Sequence, residues 1–426
     1  MSWDIAVGRW QDGSDDRLGT WGRVLLRAGV LTLVACLPFS IVGMNIGGVL
    51  AIVGGLMARV PLHRAPGRWF MVAFALWQFA SMLVTGQLLQ VPGQMWHWLL
   101  MPLVAVALRD ARWRGLALRL LAVSCIVAVT LALVQIVVGF GGKAPFRVAL
   151  PAAGGVRWWH GSGFFSTHLT FGFVMAVMVL IWLSVEPLAI SRRWAMGVVA
   201  FLGLGLSEAR SAFIGILAAA VVPGRSLREW LRMMALGVVA VGVLGGLALV
   251  LSPERMYRAL TFQDPRLPIW QVAGGVIADR PWFGCGGMKP YSPIYMQKLA
   301  DLTGGATQMP FTGLILPNEN PLVGSMHAHN SYMSIAAGYG LPAAVLHLAL
   351  MAVLALHFWR LRIKAPAAAR LGLQVLAAFI AAGLFEYVVG DSESSMAAWA
   401  AMGLALGMAG DPGRSERIAG AGPSAG

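Results

Sequence analysis

The sequence predicts an all-α polytopic membrane protein of about 12 transmembrane helices, with one large exported loop that contains short helices. Three observations carry this reading. The chain is 58% hydrophobic and only 12% charged, with a mean hydropathy of +0.72. Its apolar residues fall in runs of roughly 15–22, enough to cross a hydrocarbon layer of about 30 Å. Its basic residues alternate between loops in the way that fixes orientation. A membrane barrel would show alternation and frequent turns instead. The net charge of +14 does not point to nucleic acid, because most of the excess sits in short loops where topology accounts for it.

The elements follow in order. Met1 to Leu18 is polar, has no apolar stretch ending in a small-residue cleavage site, and reads as a cytoplasmic leader. Apolar runs lie near 24–41, 43–58, 69–85, 95–108 and 117–138. A loop at about 139–167 follows, rich in glycine and carrying Trp158 and Trp159. Further runs lie near 168–184, 194–206, 210–222 and 233–251. The pair around Arg210 is short; it is either tilted or built around a thinned or water-filled pocket. A long loop, about 252–340, precedes the final runs at 341–357, 371–389 and 394–409. The expected organisation is a bundle at 1–251, a loop domain at 252–340, C-terminal helices at 341–410 and a disordered cytoplasmic tail at 411–426.

Of the 32 lysines and arginines, ten lie on one side: Lys143, Arg147, Arg157, Arg210, Arg255, Arg258, Arg266, Arg280, Lys289 and Lys298. The others, such as Arg23, Arg64, Arg112, Arg193 and Arg362, fall on the opposite side, which is therefore cytoplasmic, with both termini inside. Cys36 and Cys125 lie in apolar runs and Cys285 is alone in the long loop, so no disulfide is expected there. Within that loop, Pro268 to Asp279 reads as a helix. Pro268 suits a first turn, Pro281 ends the run, and Trp270, Ala273 and Ile277 share a face. The stretch 304–324 reads as irregular loop.

Guanidiniums held outside beside an imidazole suit an anionic substrate such as a phosphate. His329, in His329-Asn330-Ser331-Tyr332, is the candidate base; the plainer reading is an interfacial histidine bonded to a loop carbonyl. His327 and His329 could also share a metal, but a zinc site needs a third ligand and no neighbour in sequence supplies one, so no metal is expected. Arg210, in Leu206-Ser207-Glu208-Ala209-Arg210-Ser211-Ala212, is either a phosphate clamp or the partner of Glu208. Arg266 sits at the start of the predicted loop helix, where an anion would be held; the alternative is an ion pair to Asp264. His160, His168, Lys143, Arg147 and Arg157 form a second rank in the first exported loop.

Three stretches together resemble the bacterial O-antigen ligase family (WaaL), within the wider O-antigen ligase and polymerase group. The first is His329-Asn330 followed, after nine residues, by Gly340. The second is Leu206 to Ala212. The third is Arg266-Leu267-Pro268-Ile269-Trp270 with Pro281-Trp282-Phe283-Gly284-Cys285-Gly286. One departure is Ala343, where the family pattern ends in Gly, Thr or Tyr. The resemblance implies a type C glycosyltransferase-like architecture in the bacterial inner membrane, with its active site facing the periplasm. It implies transfer of O-polysaccharide from undecaprenyl diphosphate to a sugar of the lipid A-core, with neither metal nor nucleotide cofactor. It carries His329, Arg266 and Arg210 over as catalytic positions. Arg210, Arg266, Asn330, His327, Arg258 and Arg147 are the expected substrate contacts. Expected partners are the lipid-linked donor, the lipid A-core acceptor and membrane lipids, not nucleic acid. An O-antigen polymerase or a protein O-oligosaccharyltransferase would use the same donor. A transporter of lipid-linked sugars would instead show charges at mid-membrane and paired broken helices, which the sequence lacks.

Overall fold

The computed structural model describes residues 17–88, 93–139, 145–148, 156–185, 190–222, 231, 235, 242, 246, 266–303 and 327–410. Helices α1 (Arg17–Cys36) and α2 (Ile41–Met57) form a hairpin, and Ser40 caps α2 by accepting the Gly43 N–H at 3.1 Å. Their backbones touch at glycines. A methyl group at Gly29 would collide with the backbone of Ala51, and one at Gly54 with that of Leu26. Small residues at a close crossing are the usual device where lipid removes the hydrophobic gain of helix pairing.

Next come α3 (Arg68–Val84), a 3₁₀ stretch Gly93–Leu99 that runs into α4 (Leu100–Ala107), and α5 (Ala111–Val138), capped by Asp110. Strands β1 (Pro145–Val148) and β2 (Val156–Trp159) form a short antiparallel hairpin, a departure from the expected all-helical chain. Then follow α6 (His168–Ser184), α7 (Ile190–Ser207) and α8 (Arg210–Val221). The long loop holds α9 (Arg266–Asp279) and α10 (Met288–Thr303). The chain closes with α11 (Ser331–Tyr339), α12 (Leu341–Leu361), α13 (Pro366–Gly383) and α14 (Ser392–Ala409).

Apart from α9, α10 and α11 in the long loop, these helices fall on the apolar runs of the sequence, and the run at 233–251 lies almost wholly outside the described residues. Among the described residues, four helices are long and apolar enough to cross a membrane: α1, α5, α12 and α13. The outer faces are apolar too. Val42, Ile46, Val49, Val53 and Leu56 on α2 are exposed, as are Val123, Ile126, Val127, Val134 and Val137 on α5. Such faces belong against lipid, where a helix satisfies every backbone polar group internally.

Helices α6 and α14 are apolar all round and buried all round, and they form the centre. α8 lies antiparallel along α13: Gly215 meets Ala378, and Gln374 donates to the Ala219 carbonyl at 3.4 Å. One end of this centre carries the site. The predicted run 371–389 stops being helix at Gly383, and residues 384–391 make turns instead. There the Leu384, Phe385 and Glu386 N–H groups fold back onto Ala381 and Ala382 carbonyls, and Asp391 starts α14 by capping Ser394.

Helices α9 and α10 form a small core with α11, built from Val272, Ala273, Val276, Tyr291, Tyr295 and Ala337. The loop between α9 and α10 is stitched to the α11–α12 junction. Cys285 N–H reaches the carbonyls of Ala337 and Gly338 at 3.0 and 3.1 Å, and Leu341 N–H donates to Pro281 at 2.7 Å. Trp77 of α3 stacks on Phe283 at 5.3 Å and donates to the Tyr339 carbonyl at 3.0 Å. Gly340 has φ +89°, and a methyl group there would strike the Trp282 carbonyl, so only glycine fits.

Candidate active site

The segment His327 to Asn330 is shaped by its own side chains. Asn330 is the N-cap of α11: its Oδ1 accepts the Tyr332 and Met333 N–H groups at 3.0 Å each. Its amide nitrogen donates to the Leu384 carbonyl at 2.9 Å. Asn330 was expected to meet substrate; here both ends of its amide bond the protein. Ser334 accepts the Ala328 N–H at 3.1 Å. Between these ties His329 is held at φ +47°, a left-handed conformation that costs a residue with a Cβ about 1–2 kcal/mol.

That backbone aims the ring at a residue the sequence reading passed over. His329 Nδ1 lies 2.9 Å from Glu386 Oε1, across 57 positions of sequence. The ring is 30% exposed and the Glu386 side chain 12%. Glu386 Oε1 also accepts the N–H of Tyr387 at 3.2 Å, while Oε2 is buried with no hydrogen-bond partner in the structure. Burial pushes the Glu386 carboxyl up. The His329 hydrogen bond, the charges of His329 and His327 and the Tyr387 N–H outweigh it, and the group settles below its ordinary value.

The two histidines are in different states. His327 Nδ1 accepts the N–H of His329 at 3.2 Å, so a neutral His327 carries its proton on Nε2. Burial, and secondarily the charge of His329, lowers His327 to about 4, with Glu386 acting in the opposite sense. His329 bonds the carboxylate through Nδ1, so its lone pair is on Nε2. One ligand atom from each of His327, His329 and Glu386 lies within 4.8 Å of the others, so Glu386 is placed where it could supply the third ligand that the sequence did not. Nδ1 of both rings is engaged in hydrogen bonds inside the protein, and a neutral His329 that donates from Nδ1 keeps its lone pair on Nε2.

Each of the two arginines opens a helix. Arg266 is the first residue of α9, which packs against α11. Trp270, one turn on, packs against Phe385 at 6.3 Å, next to Glu386. Arg210 is the exposed first residue of α8. Because Gly215 meets Ala378 in an antiparallel pair, Arg210 lies level with Gly383, at the mouth of the same turn. The neighbouring Glu208, at φ +53°, turns its carboxylate to within 3.5 Å of His160 Nδ1, and His160 stacks on His168 at 4.3 Å.

Arg147 stands opposite Arg157 on the hairpin, and their side chains, like the whole of Arg255, Arg258 and Asp264, lie outside the described residues. Glu386 and Asp391 were missed although a signal existed. An acid inside a run otherwise read as membrane-spanning marks function by default, and Glu386 falls inside 371–389.

No curated protein sequence matches the chain. Residues 195–348, which include Arg210, Arg266 and His327 to Asn330, match the family model described as O-antigen ligase.

Proposed function

We propose that the chain is an inner-membrane O-antigen ligase that moves O-polysaccharide from undecaprenyl diphosphate to a sugar hydroxyl of lipid A-core, on the periplasmic side. The observation that carries this is His329 bonded through Nδ1 to the Glu386 carboxylate, which in the neutral ring leaves the lone pair on Nε2, in a chain where Arg266 and Arg210 each open a helix. In the reaction, His329 Nε2 takes the proton of the acceptor hydroxyl. The oxygen attacks the anomeric carbon from the side opposite the diphosphate and inverts it. The bond from that carbon to the diphosphate oxygen breaks, and the electron pair leaves on the lipid diphosphate. Arg266 and Arg210 meet the growing negative charge, helped by the N-terminal dipoles of α9 and α8. His327, Arg258 and Arg147 are proposed as further substrate contacts. The apolar outer faces keep this chemistry at a membrane surface, where both lipid-borne substrates reside.

General-base catalysis is worth about 10²–10⁴-fold, so His329→Ala should lose that much transfer while the protein still inserts and folds. Purified protein with lipid-linked donor and lipid A-core measures it directly; transfer at the native rate would remove His329 as the base. In cells lacking the gene, a ligase predicts lipid A-core without an O-antigen ladder and polymer stranded on its carrier. A core bearing a single repeat would mean a polymerase.

A further inference from the structure

We propose that Glu386 is the positioning residue for His329, holding the ring with its proton on Nδ1 and stabilising the imidazolium that forms as Nε2 takes the acceptor's proton. The inference rests on His329 being the base. It stands on three features of the turn between α13 and α14.

The first is rigidity. The turn is tied to the histidine segment on both sides of Glu386: Asn330 Nδ2 donates to Leu384, Ser331 Oγ donates to the Glu386 carbonyl at 3.0 Å, and Val389 N–H reaches Ser331 Oγ at 3.4 Å. Tyr332 adds a bond to the Ile380 carbonyl at 2.9 Å. A carboxylate held so firmly to the loop that carries its partner keeps one fixed geometry, and misplacement by about 1 Å can cost 10²-fold in rate.

The second is asymmetry. Oε1 carries both hydrogen bonds, to His329 and to the Tyr387 N–H, while Oε2 is buried and accepts none. A buried carboxylate that is only half satisfied is costly beside a neutral ring and is relieved beside a charged one. The relief therefore appears as the proton moves, which is the interaction that accelerates a step instead of merely tightening binding. Glu386 takes up no proton: the acceptor O–H breaks, the proton goes to Nε2, the electron pair forms the bond to the anomeric carbon, and the charge leaves on the diphosphate. Its depressed proton affinity agrees with an ionised group throughout.

The third is the strained backbone. Its left-handed φ places the His329 ring against Glu386 while the ring keeps an exposed edge. Strain of this kind persists only where surrounding bonds over-determine it, and here Asn330 and Ser334 do so.

The test is steady-state transfer by purified Glu386→Gln, Glu386→Asp, His329→Ala and the double variant, each checked for native thermal unfolding. Glutamine keeps the size but not the charge. In the serine-protease template the equivalent amide costs about 10⁴-fold through the wrong tautomer. Here kcat should fall about 10²–10⁴-fold in Glu386→Gln, with both KM values within a few-fold of native, and Glu386→Asp should recover part of the loss. Added to His329→Ala, Glu386→Gln should cost nothing more. Native kcat in Glu386→Gln alongside an inactive His329→Ala would overturn the inference and leave the base in place. Equal losses in both backgrounds would also overturn it, because a structural brace acts regardless of the ring. Native transfer by His329→Ala would overturn the base itself, and the inference with it.

Discussion

Removing the Asn330 side chain separates two jobs that this residue does at once. Its Oδ1 caps α11 with two bonds at 3.0 Å, and its nitrogen crosses to Leu384 at 2.9 Å. Losing an N-cap costs about 1 kcal/mol, and losing a buried cross-brace about 0.5–1.5 kcal/mol more, with the Leu384 carbonyl left bare. Asn330→Ala should therefore lose roughly 2–3 kcal/mol, concentrated at the α11 start and the 384–391 turn. Asn330→Asp keeps the cap, and its charge suits a helix N-terminus, but it cannot donate to Leu384. Stability should follow the order Asn, Asp, Ala. Transfer should instead drop in both variants, by on the order of 10²-fold, because both release the turn that carries Glu386. Thermal unfolding in detergent gives the first order and transfer from lipid-linked donor the second. If Asn330→Asp transferred at the native rate, the cross-brace would not be what places the dyad.

Gly340→Ala should undock the loop between α9 and α10, since the new methyl meets the Trp282 carbonyl at a left-handed backbone; the cost is about 2–5 kcal/mol, seen as lost folded yield. Acidification should destabilise the protein through His327. Its folded value of about 4 lies below the ordinary 6.5, so the unfolded chain binds the extra proton first; stability is intact above about 6.5 and is lost as pH falls towards about 4. The loss from this residue is on the order of 3 kcal/mol, and His327→Gln should flatten that part of a pH-dependent unfolding curve. Arg266→Ala and Arg210→Ala should each raise the donor KM or lower kcat by about 10–100-fold, with lysine restoring only part because it lacks the planar fork; equal activity of alanine and lysine variants would count against a diphosphate clamp.

Helix positions were legible because membrane helices announce themselves by length and apolarity, and α6 and α8 begin and end within a residue of where the apolar runs place them. Helix α10 was not, because Pro290 and Pro293 fall within it and imply a break by composition. The hairpin at Pro145–Val148 and Val156–Trp159 was hidden in a stretch rich in glycine. For the site, His329 and Arg210 could be picked out because each is a polar group beside an apolar run, and Arg266 because it opens the predicted loop helix. Glu386 could not be paired with His329 from spacing, since only the early end of α13 at Gly383 brings it out of the helix and onto the ring. The pairing of Gly215 with Ala378, which sets the depth of Arg210, is likewise a fact of packing that no local pattern contains.

Glu386 follows His329 by 57 residues, beyond the segment that matches the family. At synthesis rates of about 5–20 residues per second, its codon is read about 3–11 s after that of the histidine. The ring must then wait for α12 and α13 to enter the membrane before its carboxylate partner arrives. On the proposed mechanism, a chain stalled or cut before residue 386 would carry both arginines and the histidine without the carboxylate that positions the ring. Birth order would then act as a safety catch: the machinery would be complete only when the last helical hairpin is in place, and a half-made chain would spare the proposed lipid-linked donor.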